Sequence, residues 1–154
     1  MLKDFLKSFK SMVISTLDSN TNPFTSYAPF VYSQEKYYIF ISDIAKHSQN
    51  LKAHKELSIF FIEDEQECEN IFARKRVVLE CSSTLIDKKS DTHNAILNQF
   101  EATHGKTVKM LRKMSDFNLF ELSVKKGEAV FGFGKAYDIT NDLTLIPRDS
   151  KGHK

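Results

Sequence analysis

The sequence contains no tryptophan, two cysteines, three prolines and five glycines among its 154 residues. Cys68 and Cys81 lack the spacing of a metal site, and a single pair does not indicate the disulfide framework of a small secreted domain. We therefore expect a reducing compartment, the cytoplasm. A chain of this length can bury a hydrophobic core in one domain without covalent cross-links.

A large net charge and long apolar runs are also missing; the formal net charge is +2. The 22 basic and 20 acidic residues nearly cancel, whereas a general nucleic-acid-binding protein carries a clear basic excess. No apolar run is long enough to cross a bilayer. The first twelve residues, MLKDFLKSFKSM, predict a short amphipathic helix because charges interrupt them, and they do not resemble a signal peptide. We expect neither nucleic acid nor a membrane as a partner.

Short runs with strand character occupy most of the chain. Turn-forming residues separate the first three runs, which predicts a meander of antiparallel strands at 12–17, 25–32 and 36–42. The run at 57–63 is continuously apolar, which predicts burial on both faces. Further strands are expected at 70–86, 117–124 and 128–139, with a bend near Cys81 and a turn at the Lys-Lys-Gly sequence before residue 128.

Helical spacing of apolar residues appears at 45–56, 91–104 and 107–114. Ser90 can cap the second of these helices and Gly105 can end it. Most gaps between strands are too short for a helix, which excludes a parallel βαβ fold. The pattern predicts one mainly β (α+β) domain over residues 1–154, a small antiparallel barrel with short covering helices.

Gly132 and Gly134 belong to the sequence FGFGKAYD, within the strand predicted at 128–139. On a strand, residues two apart point to the same side of the sheet. Two missing side chains there indicate either a barrel corner or a bare backbone surface on which a planar ligand can lie. The residues alone leave both interpretations open.

Basic residues form two candidate anion sites. Arg74 and Arg76 are predicted to share one face of a strand, where they form either a solvated edge or a grip for phosphate or carboxylate. Lys46 and His47 begin the first predicted helix of the barrel region, whose free N–H groups can hold a phosphate or a propionate. An ordinary exposed helix start is the alternative.

The chain closes on IPRDSKGHK, residues 146–154. Its last six residues offer charged groups, a hydroxyl group and one imidazole, that of His153. The imidazole is the group with chemistry to offer a partner. An ordinary surface tail and a ligand-bearing tail both fit this segment.

The segments MVISTLDSNTNPFTSYAPFVY, KYYIFIS, KHSQNLKAHKELSIFFIED and FARKRVVLE resemble, in their order and spacing, the pyridoxamine-phosphate-oxidase-like split barrel. The likeness runs over about residues 10–140. The closing segment DFNLFELSVKKGEAVFGFGKAYDIT, followed by KGHK, resembles the haem-degrading HugZ branch of that superfamily. Members of this branch typically carry a further domain before the barrel, so we expect either a minimal or a diverged version of the family here.

The resemblance implies a homodimer of split barrels that holds haem at the dimer interface, as both cofactor and substrate. The tail would bear the axial iron ligand, His153, and Arg74 would lie on the other side of the haem, where oxygen binds. The products would be a biliverdin-type tetrapyrrole, carbon monoxide and iron, with electrons from an unidentified donor. The residues that the resemblance places around the haem are His153, Arg74, Arg76, Lys46, His47, Gly132 and Gly134.

Two alternatives use the same fold. An FMN-binding oxidoreductase would hold the FMN phosphate with Arg74, Lys75 and the start of the 45–56 helix. A non-catalytic haem carrier would need His153 but no arginine.

Overall fold

The computed structural model describes residues 1–148, which contain eight strands and four α-helices. The strands form one antiparallel sheet in the order β3–β2–β1–β4–β5–β6–β7–β8, and β3 also pairs with β6, so the first six strands close into a barrel. The strands are β1 (Ser11–Leu17), β2 (Pro23–Ser33), β3 (Lys36–Ser42), β4 (Glu56–Ile62), β5 (Arg76–Leu85), β6 (Phe117–Val130), β7 (Ala136–Ile139) and β8 (Leu145–Pro147). The helices are α1 (Leu2–Lys7), α2 (Lys46–Ala53), α3 (Asp91–His104) and α4 (Lys106–Leu111). The mainly β barrel with short helices is confirmed.

Alternating side chains of the strands fill the barrel. Ile14, Ile39, Ile59, Leu79 and Leu122 have no exposed surface, as expected where every second residue of a strand points inward. The first helix, α1, packs its apolar side chains on this core beside the end of β6, and α2 packs near the end of β1. Among the described helices, none is both long and apolar enough to cross a bilayer.

A second, smaller core lies outside the barrel. The apolar stripe of α3, formed by Ile96, Leu97 and Phe100, packs with α4 on the outward side chains of β2, β3 and β6. The predicted helix ends are confirmed. The Ser90 hydroxyl accepts a hydrogen bond from the His93 N–H at 3.2 Å, and Gly105 ends the helix with φ +83°.

The turn predicted at Lys-Lys-Gly is wrong, because β6 continues through it to Val130. A Cβ at Gly127 would lie against the Val78 carbonyl oxygen and 2.7 Å from a Leu79 methyl carbon. This glycine therefore lets two strands approach closely within the sheet. The predicted bend near Cys81 is confirmed as a β-bulge between Glu80 and Cys81.

Two strand predictions around the candidate site are also wrong. The strand expected from residue 70 begins only at Arg76, because Ile71–Ala73 form a 3₁₀ turn whose Phe72 N–H donates to the Asn70 side chain at 2.9 Å. The strand expected over 128–139 is interrupted after Val130 by a turn. Gly132 and Gly134 lie in that turn with φ of +137° and +71°, which glycine adopts far more readily than other residues.

Candidate functional site

One end of the sheet brings together several of the predicted site residues. Arg76 is paired with Ile62 on β4 and Val130 on β6, and the Arg148 N–H donates to the Ala136 carbonyl at 3.0 Å. The 3₁₀ turn, the glycine turn and the last described residue therefore meet here. They line a cavity of about 280 Å³, which we call the glycine-turn cleft: Phe72, Ala73, Val130, Gly132, Phe133, Gly134, Lys135, Ala136 and Arg148.

Two aromatic side chains at this cleft lie in solvent. Phe72 is 83% exposed and Phe133 is 69% exposed, and the neighbouring Ile71 is 55% exposed. Large apolar side chains clustered on a surface indicate a binding site, because their exposure to water is unfavourable. With the glycine turn beside them, they offer an apolar wall and a stretch of backbone that a flat ligand can approach closely.

Arg74 lies just before β5, so the prediction that it shares a strand face with Arg76 is wrong. Its Nε donates to the Glu63 carbonyl at 3.2 Å and its Nη2 donates to the same oxygen. Its Nη1 is 3.3 Å from the Glu65 carboxylate. The Glu63 carboxylate in turn accepts the Lys75 N–H at 2.6 Å. The loop after β4 therefore fixes the guanidinium. Arg74 follows Ala73, which lines the cleft, but Arg74 is not itself among the described lining residues.

Arg76 lies on the outward side of β5 and is half-buried; its Nη1 donates to the Arg74 carbonyl at 2.9 Å. Most outward residues around it are apolar and half-buried, although an outward sheet face in water is normally polar. Glu128, opposite Val78 on β6, is charged and exposed. The strand register places Val13, Phe60 and Val78 in one row and Ile62 and Val130 in the next. We call this surface the outer apolar face: Val13, Phe60, Val78, Ile62 and Val130.

The outer apolar face corrects the prediction for β4, whose outward residues are half-buried and not fully buried. The sequence feature that corresponds to the outer apolar face is the continuous apolar run at 57–63. What the run indicates is a sheet face that one chain leaves partly uncovered. Sequence reasoning also missed Phe72 and Phe133. An isolated phenylalanine usually predicts a buried residue, and no sequence pattern indicates that these two lie in exposed turns.

Lys46 and His47 lie elsewhere in the chain. The Lys46 ammonium is 3.9 Å from the Asp18 carboxylate and 4.8 Å from the Phe24 ring centroid. The His47 Nδ1 lies 2.9 Å from the Ser26 hydroxyl, and burial lowers the pKa of this imidazole. These contacts belong to the β1–β2 turn and to β2, three strands across the sheet from Arg76, or about 14 Å at the usual strand spacing. Within one chain, the helix start and the cleft are separate.

The predicted iron ligand, His153, lies outside the described residues. The last described residue, five positions earlier in the sequence, is Arg148, which lines the glycine-turn cleft and pairs with Glu128 and Asp138. Within residues 1–148, no group of three or more His, Cys, Asp or Glu side chains is placed to hold a metal ion. The His104 Nε2 is 2.8 Å from the Phe30 carbonyl, away from the cleft.

Comparisons with known proteins agree with this architecture. The family model described as pyridoxamine 5′-phosphate oxidase matches residues 1–131. The chain belongs to this family. A curated relative, heme oxygenase HutZ from Vibrio cholerae serotype O1, is 36% identical over 154 residues, which cover 99% of this chain and 88% of the relative.

Two solved structures extend the comparison. Campylobacter jejuni ChuZ matches with a TM-score of 0.87 and 35% identity over 97% of this chain. This chain spans only 61% of the ChuZ chain. HutZ from Vibrio cholerae, described as a heme storage protein, matches with a TM-score of 0.74 and 36% identity over 78% of this chain and 84% of that one. The resemblance to the HugZ branch is confirmed.

Proposed function

We propose that this protein binds haem and cleaves it oxidatively, as a haem oxygenase, releasing iron and a biliverdin-type tetrapyrrole. The observation that carries the proposal is the near-full-length similarity to HutZ, which is named a heme oxygenase. The split-barrel fold and the cleft on its surface are compatible with that chemistry. The unpaired Cys68 and Cys81 agree with a cytoplasmic location.

The glycine-turn cleft fits a flat apolar group with anionic substituents. Phe72, Phe133 and the glycine turn can face a porphyrin ring. Lys135 and Arg148 in the cleft lining, and Arg76 opposite the lining residue Val130, are cations suited to its propionates. The cavity of about 280 Å³ lies just below the usual range of small-molecule sites, roughly 300–1,000 Å³. A second surface is therefore needed to enclose the ligand.

We infer that a second copy of the chain supplies this surface. The outer apolar face adjoins the cleft, and pairing it across a two-fold axis would remove its half-buried valine, isoleucine and phenylalanine side chains from water. In such a homodimer, Lys46 and His47 would reach the ligand only from the partner copy. Phe60→Asp should convert the dimer to a monomer in sedimentation and abolish tight haem binding. A parent protein that stays monomeric with and without haem would contradict the interfacial site.

Each proposed residue has a distinct role. Bound haem supplies the iron at which oxygen is reduced, and it is itself the substrate. His153 would ligate that iron through a neutral imidazole nitrogen. The Arg74 guanidinium, fixed by Glu63, would donate hydrogen bonds to the negative charge that develops during the reaction. Gly132 and Gly134 would let the ring lie close to the backbone.

Two other functions have specific support. The family description, pyridoxamine 5′-phosphate oxidase, favours an FMN-binding oxidoreductase, for which Lys75 and the arginines would hold the phosphate. The description of HutZ as a heme storage protein favours a carrier that binds haem without cleaving it. Absorption spectra distinguish the FMN-binding oxidoreductase from the main proposal. A measurement of haem turnover distinguishes the haem carrier from it.

The test is a titration of the purified apoprotein with haem and, separately, with FMN. We expect a saturable Soret band with haem and no tight FMN complex. His153→Ala and deletion of residues 150–154 should both change the coordination spectrum, while His54→Ala serves as the control for loss of an unrelated histidine. Flavin binding without a Soret band would refute the haem proposal. An unchanged spectrum in both tail variants would place the iron ligand elsewhere.

A further inference from the structure

A second cavity, of about 490 Å³, lies between α1, the β2–β3 hairpin and the end of α3. It shares no lining residue with the glycine-turn cleft. We propose that this α1 cavity binds a small apolar anion, an aromatic ring system bearing a carboxylate or sulfonate. The residues that carry the proposal are Lys3, Lys7, Lys10, Tyr32, Glu35 and Tyr37.

The floor of the α1 cavity is aromatic. Tyr37 packs against Tyr32 with ring centroids 4.7 Å apart and against Phe30 at 5.3 Å. Phe9 and Leu6 of the α1 region complete the apolar wall. Tyr32 is 41% exposed, so part of this aromatic surface meets solvent and can stack against a ligand ring.

The Tyr37 hydroxyl supplies a polar group within that floor. Tyr37 is only 2% exposed, and it lines the cavity. Its hydroxyl is not among the fully buried side-chain atoms without a partner, which within residues 1–148 are the Ser48 Oγ and the His93 Nε2, so the hydroxyl is accessible from the cavity. Burial raises the pKa of Tyr37, so the group remains a protonated donor. A ligand oxygen in the cavity would satisfy it.

The rim of the α1 cavity is cationic. Lys3 and Lys7 are one helical turn apart, and Lys10 follows before β1. All three are exposed, and none forms an ion pair with another described residue. Among the described residues that line the cavity, Glu35 is the only carboxylate, so three lysines face one acid. This charge balance favours an anion, and the aromatic floor favours one with a ring.

The proposal can be tested on the full-length apoprotein with two matched probes. Anilinonaphthalene sulfonate carries an aromatic system and an anionic group, and phenylnaphthylamine has the same rings without the charge. The parent protein should bind the anion about tenfold more tightly than the neutral probe, because the lysines each contribute a modest attraction at the surface. Lys3→Gln/Lys7→Gln should remove most of that preference, and Tyr37→Phe should weaken anion binding about threefold or more.

A matched control removes the same charge elsewhere. Lys106 and Lys109 lie exposed on α4, outside the cavity, and Lys106→Gln/Lys109→Gln should bind both probes as the parent does. Calorimetry with haem-saturated protein should give the same affinity for the anion as with apoprotein. The proposal is overturned if both probes bind equally, if the control pair weakens the anion as much as Lys3→Gln/Lys7→Gln, or if haem displaces the probe.

Discussion

Replacing Arg74 by alanine should lower the rate of haem cleavage much more than it lowers the affinity for haem. The side chain is 20% exposed and makes hydrogen bonds to the Glu63 carbonyl and an ion pair with Glu65. A hydrogen bond from a charged donor contributes about 1.5–3 kcal/mol, while an exposed ion pair contributes about 0–1 kcal/mol. After discounting for solvent, we expect Arg74→Ala to lower the free energy of unfolding by about 1–2 kcal/mol, so the barrel remains folded.

The effect on haem cleavage should be much larger than the effect on haem affinity. A fixed donor that stabilises developing charge contributes about 3–4 kcal/mol to a transition state, or roughly a hundred- to a thousand-fold in rate. Haem affinity should change by no more than about tenfold, near 1.4 kcal/mol, because the ring is held mainly by apolar contacts. The assay follows the Soret band under ascorbate and oxygen, with catalase present to remove free peroxide.

Arg112 provides a matched control for this experiment. Its side chain is 21% exposed and it bonds Glu101, Asn94 and Asn98 on α3, away from the cleft. Arg112→Ala should lose similar stability and cleave haem at the parental rate. If Arg74→Ala also cleaves at the parental rate, the role assigned to Arg74 is wrong.

Three further changes probe the backbone and the pH response. Gly127→Ala should lower the free energy of unfolding by about 2–3 kcal/mol in urea titration, because the new methyl group meets the Val78 carbonyl. Gly134→Ala should cost only about 1 kcal/mol, since its φ is +71° but no atom lies within 4 Å of a Cβ there; equal losses would contradict this ranking. Burial lowers the pKa of both His47 and His93, so the folded state disfavours their protonation, and stability should fall as pH drops below about 6.5. The His47→Gln/His93→Gln variant should show a shallower loss between about pH 7 and pH 5, and an unchanged slope would refute that assignment.

Runs of apolar residues separated by turn-forming residues were sufficient to predict β1 to β4, and helical spacing was sufficient to predict the apolar stripe of α3. These patterns failed where the tertiary contacts of a single residue outweighed its local propensity. Gly127 looks like a turn glycine, yet the carbonyl of Val78 on the adjacent strand requires a residue without a side chain. No local pattern contains that contact, since it depends on which strands become neighbours.

Some features of the candidate site could be predicted from the sequence and others could not. Gly132 and Gly134 stood out because two glycines in a strand pattern are unusual, although they lie in a turn. The contacts that fix Arg74 come from a loop eleven residues earlier, which sequence spacing does not reveal. Lys46 and His47 were grouped with Arg74 as the start of a helix that can hold a phosphate or a propionate, and the fold of one chain separates them from it.

The measurement that tests the central claim most directly is the carbon monoxide released when the haem-loaded protein is reduced in air with catalase present. Enzymatic cleavage of the macrocycle predicts a stoichiometric yield of carbon monoxide, together with a biliverdin-type spectrum and chelatable iron. A stable Soret band with no carbon monoxide would contradict the account and identify the protein as a haem carrier. Bleaching that catalase suppresses would show that free peroxide, and not the protein, destroys the haem.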